Sequence, residues 1–150
     1  MLTSYRHTFL FDPCLWETDG VYYDANGQRL LCEGRTVITH QPDSWTNEGT
    51  LRLMTDPPLE LHNRYDIVPF APGLDMTTWT SFNPEIEILH GRFIIVEDAI
   101  ISPWKSTSGE FWGTEFLVQV SETEYRGRGC AFKGEFKLAG WAIRLRKSFF

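Results

Sequence analysis

The sequence predicts an all-β fold, a single antiparallel up-and-down β-barrel of about 8–10 strands, with a short N-terminal helical turn. From Gly20 to Arg146 the chain is a series of short segments in which apolar and polar residues alternate, and each segment ends at turn residues. An alternation with period two places one face of a strand in the core and the other in solvent. The short connections favour strands that pair in chain order, and no long amphipathic helix interrupts the series.

The N-terminal residues precede this regular pattern. Residues 5–11 are apolar enough to form either a strand or a plug, and the two alternatives stay open. Asp12 and Pro13 then match an N-cap followed by proline at the first helical position, which predicts one helical turn ending at Trp16.

Turn signals divide the rest of the chain into strands. Asn26-Gly27 is typical of a two-residue hairpin turn, and Asn83-Pro84 predicts a further turn. Gly34 predicts a kink within the long strand 28–40 that contains it. The predicted strands are 20–24, 28–40, 45–54, 59–68, 76–82, 85–96, 99–105, 111–120, 125–132 and 136–146.

Length and charge limit the functional classes. A chain of 150 residues predicts one domain, 1–150, which buries roughly 70% of the surface exposed by the unfolded chain. The net charge of −6 argues against nucleic acid or an anionic membrane as the partner. No segment reaches the ~18 apolar residues of a membrane span, and the N-terminus does not match a signal peptide. We therefore expect a cytoplasmic protein without membrane insertion.

Cysteine and histidine spacing predicts no metal site. The three cysteines are too far apart for a zinc motif and odd in number, so we interpret them as reduced core thiols. The four histidines show no two-ligand spacing, and no cofactor is predicted, although haem bound by one histidine remains a minor alternative. These residues are Cys14, Cys32, Cys130, His7, His40, His62 and His90.

The beginning and end of the predicted barrel resemble the calycin superfamily of lipocalins and fatty-acid-binding proteins. Trp16 precedes Gly20-Val21-Tyr22 on the first strand, and Arg144 lies on the last one. The resemblance implies that Trp16 closes one barrel end and packs against Arg144. The chain departs from the pattern because Trp16 precedes the glycine, Arg144-Leu145-Arg146 replaces an Arg-x-Tyr clamp, and no pair of lid helices is predicted.

Mid-strand aromatic residues are the candidates for a ligand-binding wall. Their flat rings bury apolar area, and tryptophan and tyrosine also offer a polar tip, although each could equally be ordinary core. The candidates are Tyr65, Trp79, Trp104 and Trp112.

Three charged residues could add specificity if their side chains face the interior. Arg126 and Arg128 share one strand face and could bind a carboxylate or phosphate, but an outward, solvated pair is the more common arrangement because buried unpaired arginine is costly. An inward Glu115 would be either the counter-charge of an internal arginine or a general acid with a raised pKa, whereas an outward one would be a surface residue.

Three hypotheses about function follow. The first is binding of a small hydrophobic or amphipathic ligand, such as a carboxylate, inside the barrel. The second is a cofactor-independent isomerase, cyclase or lyase on the same scaffold, which rests on fold analogy. The third is an interaction module with a filled barrel that forms a homodimer through Phe149-Phe150 or an open sheet edge.

Overall fold

The computed structural model describes residues 6–82 and 87–148, and these form ten β-strands. The alternation of apolar and polar residues seen in the sequence is the alternation of inward and outward side chains in each strand. The strands are β1 (Cys14–Tyr23), β2 (Arg29–His40), β3 (Trp45–Leu53), β4 (Leu59–Ile67), β5 (Met76–Phe82), β6 (Ile88–Val96), β7 (Ala99–Ser106), β8 (Phe111–Ser121), β9 (Glu124–Lys133) and β10 (Phe136–Lys147).

The strands pair in chain order and close into a barrel. Every neighbouring pair is antiparallel, and β1 pairs with β10 to complete the circle. The predicted all-β, up-and-down barrel is therefore confirmed. Among the described residues, β4 and β5 share the shortest ladder, with Asp66 opposite Thr80 and Ile67 opposite Trp79.

The predicted N-terminal helical turn is wrong. The described residues contain no helix, and β1 begins at Cys14, directly after Pro13. One bond, from the Asp12 N–H to the Thr8 carbonyl (3.0 Å), makes a single turn, and Leu10 has φ 74°. A left-handed residue cannot continue a right-handed helix, so the segment turns instead of coiling. Within residues 6–82 and 87–148 no helix is long and apolar enough to cross a membrane.

The N-terminal segment is a plug over one barrel end. The side chains from His7 to Leu10 are buried, and the Tyr125 hydroxyl accepts hydrogen bonds from the N–H groups of Thr8 (3.1 Å) and Phe9 (3.4 Å). The predicted alternative of a strand at 5–11 is not formed by its described part, 6–11, and Tyr5 lies outside the described residues.

Strand boundaries agree with the sequence prediction to within about two residues, with one exception. β1 starts six positions before the predicted Gly20, because Leu15 and Trp16 continue the period-two pattern that the helical interpretation had excluded. The chain turns at the predicted place, but the loop is not the two-residue type: the Gly27 N–H donates to the Asp24 carbonyl at 3.0 Å, and Gly27 has a positive φ of 78° whereas Asn26 does not. This is the three-residue loop in which a type I turn is followed by a left-handed residue. The predicted turn at Asn83-Pro84 and the first residues of the predicted strand 85–96 lie outside the described residues.

Candidate functional site

The two barrel ends differ. At one end the plug packs on Trp16 and Tyr125, whose rings meet edge to face with centroids 5.6 Å apart. The opposite end, where β1 leads into β2, has no comparable cover among the described residues. A molecule that enters the barrel would therefore reach the interior from this second end, which we call the open end.

The carboxylate of Glu115 lies inside the barrel. Glu115 is on the inward face of β8, between Phe111 and Leu117 of that face, and its cross-strand neighbours are Ser102 on β7 and Gly129 on β9. The residue is only half-buried, so part of its surface stays accessible from within the barrel. The inward placement is one of the two alternatives left open by the sequence.

One indole reaches Glu115 across an intervening strand. The Trp141 Nε1–H on β10 donates to Glu115 Oε2 at 2.6 Å. Gly129 of β9 lies between them, and a Cβ there would come well under 3.0 Å from the Trp141 ring. The glycine therefore leaves the space through which the indole passes.

Burial controls the protonation of this carboxyl. Desolvation raises the pKa of Glu115 above its ordinary value of 4.5, and the hydrogen bond from Trp141 partly offsets the increase. Burial also raises the pKa of the Tyr65 hydroxyl, and the charge of Glu115 adds to that effect. The two acidic groups are thus electrostatically coupled inside the barrel.

A second set of inward polar tips adjoins Glu115. The Trp79 Nε1–H donates to Ser102 Oγ at 2.9 Å, and the Tyr65 ring meets the Trp79 ring edge to face at 4.7 Å. Ser102 is directly opposite Glu115 in the sheet, so the Tyr65–Trp79–Ser102 contacts lie next to the Glu115 carboxylate. We call Tyr65, Trp79, Ser102, Glu115 and Trp141 the interior cluster.

Inward tryptophans face glycines on the neighbouring strands. A Cβ at Gly91 would come within 3.0 Å of the Trp79 ring, and one at Gly113 would lie 2.6 Å from Trp104 Cζ2. These pairs repeat the arrangement of Trp141 over Gly129. The large rings fit because the glycine of the neighbouring strand has no side chain at that point. In return, the ring covers the glycine, which stabilises it within the sheet.

Tyr65, Trp79 and Trp104 lie on the inward faces of β4, β5 and β7, whereas Trp112 faces outward. Trp112 is on the outer face of β8, where it stacks on Phe132 at 4.5 Å and donates to the Gly134 carbonyl. Its parity is opposite to that of Glu115, so the two cannot line one cavity. The expectation that Trp112 lines the interior is corrected.

Arg126 and Arg128 also lie outside the barrel. Both are exposed on the outer face of β9, while the glycines that alternate with them, Gly127 and Gly129, face inward. Arg126 contacts Glu124 at 3.9 Å, and Arg128 donates to the Gly127 carbonyl. The inward glycines leave space in the interior for the aromatic rings of neighbouring strands. The guanidinium groups remain hydrated on the outside, so the expectation that they form an anion site inside the barrel is wrong.

The implied contact between Trp16 and Arg144 is not formed. Trp16 is fully buried under the plug, whereas Arg144 is on the outer face of β10 and bonds Asp19 Oδ2 at 3.4 Å. Ring packing by Phe9 and Tyr125 occupies the position that the resemblance gave to the arginine.

Trp141 was not recognised in the sequence. The sequence does contain a signal for it. Trp141 and Gly129 each lie six positions from Glu135, at the turn of the β9–β10 hairpin, and residues equally far from a hairpin turn face each other in the two strands. A glycine opposite a tryptophan in a predicted hairpin indicates an inward ring. Ser102 has no such local signal, because its hydrogen bond with Trp79 joins residues 23 positions apart in the sequence.

Two grooves lie on the outer wall. One of about 400 Å³ runs over β1 to β4 and is lined by side chains of both charges, and a second of about 370 Å³ reaches the exposed Phe82 ring. No three metal-ligating side chains come together in the part of the chain that is described. Neither groove is lined by a residue of the interior cluster, and we take that cluster as the candidate site.

Comparisons with known proteins identify a fold but no family. No family model and no curated protein sequence matches the chain. The structure is similar to that of the S-type phycobiliprotein lyase CPES from Guillardia theta, with a TM-score of 0.71 at 8% identity over 95% of this chain and 92% of that one. An N-terminal dehydratase from the difficidin assembly line aligns with a TM-score of 0.27 at 8% identity over 94% and 80%, which is too low to indicate a common fold. The first likeness shows a shared barrel fold and nothing beyond it.

Proposed function

We propose that the barrel interior binds a small amphipathic ligand, whose apolar body lies against the inward rings and whose hydrogen-bond donor or ammonium group meets Glu115. The observation that carries this proposal is the inward Glu115 carboxylate, which is half-buried among aromatic rings near the middle of β8. A binding site of this kind combines a mostly apolar wall with a few placed polar groups.

The charges inside the barrel support a donor-bearing ligand over a carboxylate. On the described strands, the only other charged side chains of inward parity are Lys133 at the open end and Lys147 at the covered end. Lys147 contacts Asp12 at 3.8 Å, and Lys133 lies over the Phe111 ring. A carboxylate placed beside Glu115 would meet a like charge in a poorly solvated space, which is unfavourable.

The Glu115 oxygens leave room for a ligand donor. Oε2 accepts the Trp141 Nε1–H, and Oε1 accepts no hydrogen bond from the described residues. A carboxylate can accept several hydrogen bonds, so Oε1 can accept a further donor. A ligand N–H or ammonium group would supply the missing donor. The likeness to the phycobiliprotein lyase supports the fold of this proposal and does not identify the ligand.

Competition between two surfactants of equal length tests the head-group preference. Nile red is bound to the protein and displaced by dodecylamine or by dodecanoate, both kept below their micelle concentrations. We expect the amine to displace the dye at least about tenfold more effectively, which corresponds to about 1.4 kcal/mol.

The same measurement on Glu115→Gln assigns the preference to this residue, with Glu33→Gln on the outer face as the matched control. We expect the preference to fall below about threefold in Glu115→Gln and to persist in the control. Failure of the protein to bind Nile red overturns the interior site, and equal displacement by the two surfactants overturns the role of Glu115. Native mass spectrometry of the purified protein would reveal a ligand that is already bound.

A proton-transfer enzyme on the same scaffold is the second candidate. The raised pKa of Glu115 supports it, because enzymes raise the pKa of a carboxyl by burial when that group serves as a general acid or base. Such an enzyme would exchange a substrate proton for solvent deuterium, and Glu115→Gln would abolish that exchange.

A further inference from the structure

The outer wall of β7 to β10 is basic. Glu115 and Glu124 are the acidic residues of these four strands, and Glu115 points into the barrel. The outward basic side chains lie on β7, β9 and β10, beside the outward aromatic rings of β8 and β9. We call this surface the basic wall; its members are Lys105, Trp112, Phe116, Arg126, Arg128, Phe132, Lys137, Arg144 and Arg146.

The opposite wall of the barrel balances its charges. On β2 to β4, Glu33 lies opposite Arg52, and Glu48 lies opposite Arg64, whose Nη1 is 3.5 Å from the Glu48 carboxylate. Acidic residues outnumber basic ones in the whole chain, 20 to 14. The net charge therefore conceals a separation of charge between the two walls. A basic surface of this kind attracts anionic partners even on an acidic chain.

Two arginines of the basic wall face each other. Arg126 on β9 is the direct cross-strand neighbour of Arg144 on β10, and like charges in this position destabilise a sheet. Carboxylates at the border offset part of the charge, since Asp19 Oδ2 is 3.4 Å from Arg144 Nη2 and Glu124 Oε2 is 3.9 Å from Arg126 Nε. A bound anion would remove the remaining repulsion.

Other cations of the basic wall have no acidic partner. Within residues 6–82 and 87–148, no carboxylate forms an ion pair with Lys105, Arg128 or Lys137. Arg128 donates to the backbone carbonyl of Gly127, which leaves its positive charge in place. The wall thus combines excess positive charge with exposed hydrogen-bond donors, the two properties that contacts with phosphate groups require.

The aromatic rings of the basic wall each have a basic neighbour. Trp112 and Phe116 are 42% and 43% exposed, and Trp112 stacks on Phe132. Cross-strand pairs join these rings to cations: Trp112 to Lys105, Phe116 to Arg128 and Phe132 to Lys137. A surface on which aromatic rings and cations are neighbours offers stacking to bases and charge-assisted hydrogen bonds to phosphates.

We propose that the basic wall binds single-stranded nucleic acid, with bases against the exposed rings of Trp112 and Phe116 and phosphates at Lys105, Arg126 and Arg128. Unpaired bases present the flat surfaces that these rings can stack on. A duplex would leave the rings unused, because its bases are stacked on one another inside the helix. The basic wall is on the outside of the barrel, so this interface does not depend on the interior ligand.

Fluorescence anisotropy of a fluorescein-labelled oligothymidylate of about 12 nucleotides tests the proposal on the full chain. We expect saturable binding at about 50 mM salt. The logarithm of the binding constant should fall with the logarithm of the salt concentration at a slope of about −3, the value for about four phosphate contacts on a single strand. Absence of binding at low salt overturns the proposal, as does equal affinity for a duplex of the same length.

Charge reversal assigns the binding to the basic wall. Arg128→Glu should weaken binding at least about tenfold and reduce the magnitude of the salt slope by about 0.7, the share of one phosphate contact. Arg35→Glu is the matched control, because Arg35 is exposed on the outer face of β2 and its reversal changes the net charge by the same amount. Equal weakening by the two substitutions would reduce the effect to net charge and overturn the assignment.

Removal of a ring separates stacking from charge. Phe116→Ala should weaken binding at least about fivefold and leave the salt slope unchanged, because the ring contacts no phosphate. Phe82→Ala is the matched control, since Phe82 is 71% exposed and lies on β5, outside the basic wall. Polyglutamate bound as tightly as the oligonucleotide would assign the wall to acidic polypeptides and overturn the proposal. Binding to phosphatidylserine vesicles without binding to the oligonucleotide would assign it to a lipid surface and also overturn it.

Discussion

The indole of Trp141 crosses over Gly129 and donates its N–H to the carboxylate of Glu115 at 2.6 Å. Three consecutive strands, β8 to β10, thereby contribute to one contact. The glycine supplies the space, the tryptophan supplies the donor, and the glutamate supplies the acceptor. The position of Glu115 within the barrel thus depends on residues that are far from it in sequence.

Substitution of Gly129 tests this dependence. Gly129→Ala would force the Trp141 ring to move, and we expect a destabilisation of about 1–3 kcal/mol with a shift in tryptophan emission. Gly140→Ala is the matched control, since the nearest atom to its Cβ would be Lys137 Cε at 3.4 Å, an ordinary contact. Denaturant unfolding of both variants measures the difference, and equal stability would contradict the crossing of Gly129 by the indole.

The pH dependence of stability tests the raised pKa of Glu115. Because the folded chain binds this proton more tightly than the unfolded chain, the resulting stability is fully present below pH 4.5 and is lost as pH rises through the raised pKa. Glu115→Gln lacks this dependence. We expect the variant to gain stability relative to the wild type as pH increases above 4.5, and parallel curves would contradict the prediction.

Removal of the Trp141 donor should move the same titration. The hydrogen bond lowers the pKa of Glu115, so Trp141→Phe should raise that pKa and shift the pH-dependent loss of stability to higher pH. Comparison of Trp141→Phe with Trp141→Phe/Glu115→Gln isolates the effect from lost packing. An unchanged pH window in Trp141→Phe would show that the bond does not influence the carboxyl.

The plug depends on the Tyr125 hydroxyl. This oxygen contacts His7 Nδ1 at 2.7 Å and accepts the N–H groups of Thr8 and Phe9. Tyr125→Phe leaves buried donors without an acceptor, which should cost about 1–3 kcal/mol and lower the Tm by roughly 2–12 °C. In Tyr125→Phe we also expect hydrogen exchange to become faster than in the wild type in residues 6–12 but not in β8. The matched variant Tyr23→Phe should show no such change.

The outward position of Arg144 predicts a small effect of its removal. Its bond with Asp19 is exposed, and exposed ion pairs contribute about 0–1 kcal/mol. Arg144→Ala should therefore change the Tm by no more than about 4 °C and leave the emission of Trp16 unchanged. A large loss of stability would instead indicate that the arginine closes the barrel as the family resemblance implied.

Much of the strand order followed from local pattern. The period-two alternation and turns such as Asn26-Gly27 are short-range signals, and strands joined by short turns pair with their sequence neighbours. The N-terminal segment was interpreted incorrectly because Asp12-Pro13 satisfies a local helix signal. Burial of His7 to Leu10 against Tyr125, over a hundred positions away, decided its conformation.

The sequence by itself determined the class of fold and the approximate limits of its strands, because alternation and turn preference act within a few residues. The alternation also divided the residues of each strand into two sets that lie on opposite faces, so that only one of the two sets could line the interior. Only the tertiary structure decided which face was inside. That choice follows from register across ten strands, and it placed Glu115 within the barrel and Trp112, Arg126 and Arg128 outside. The same register brought Trp141 over Gly129, a contact that no single segment of the chain contains.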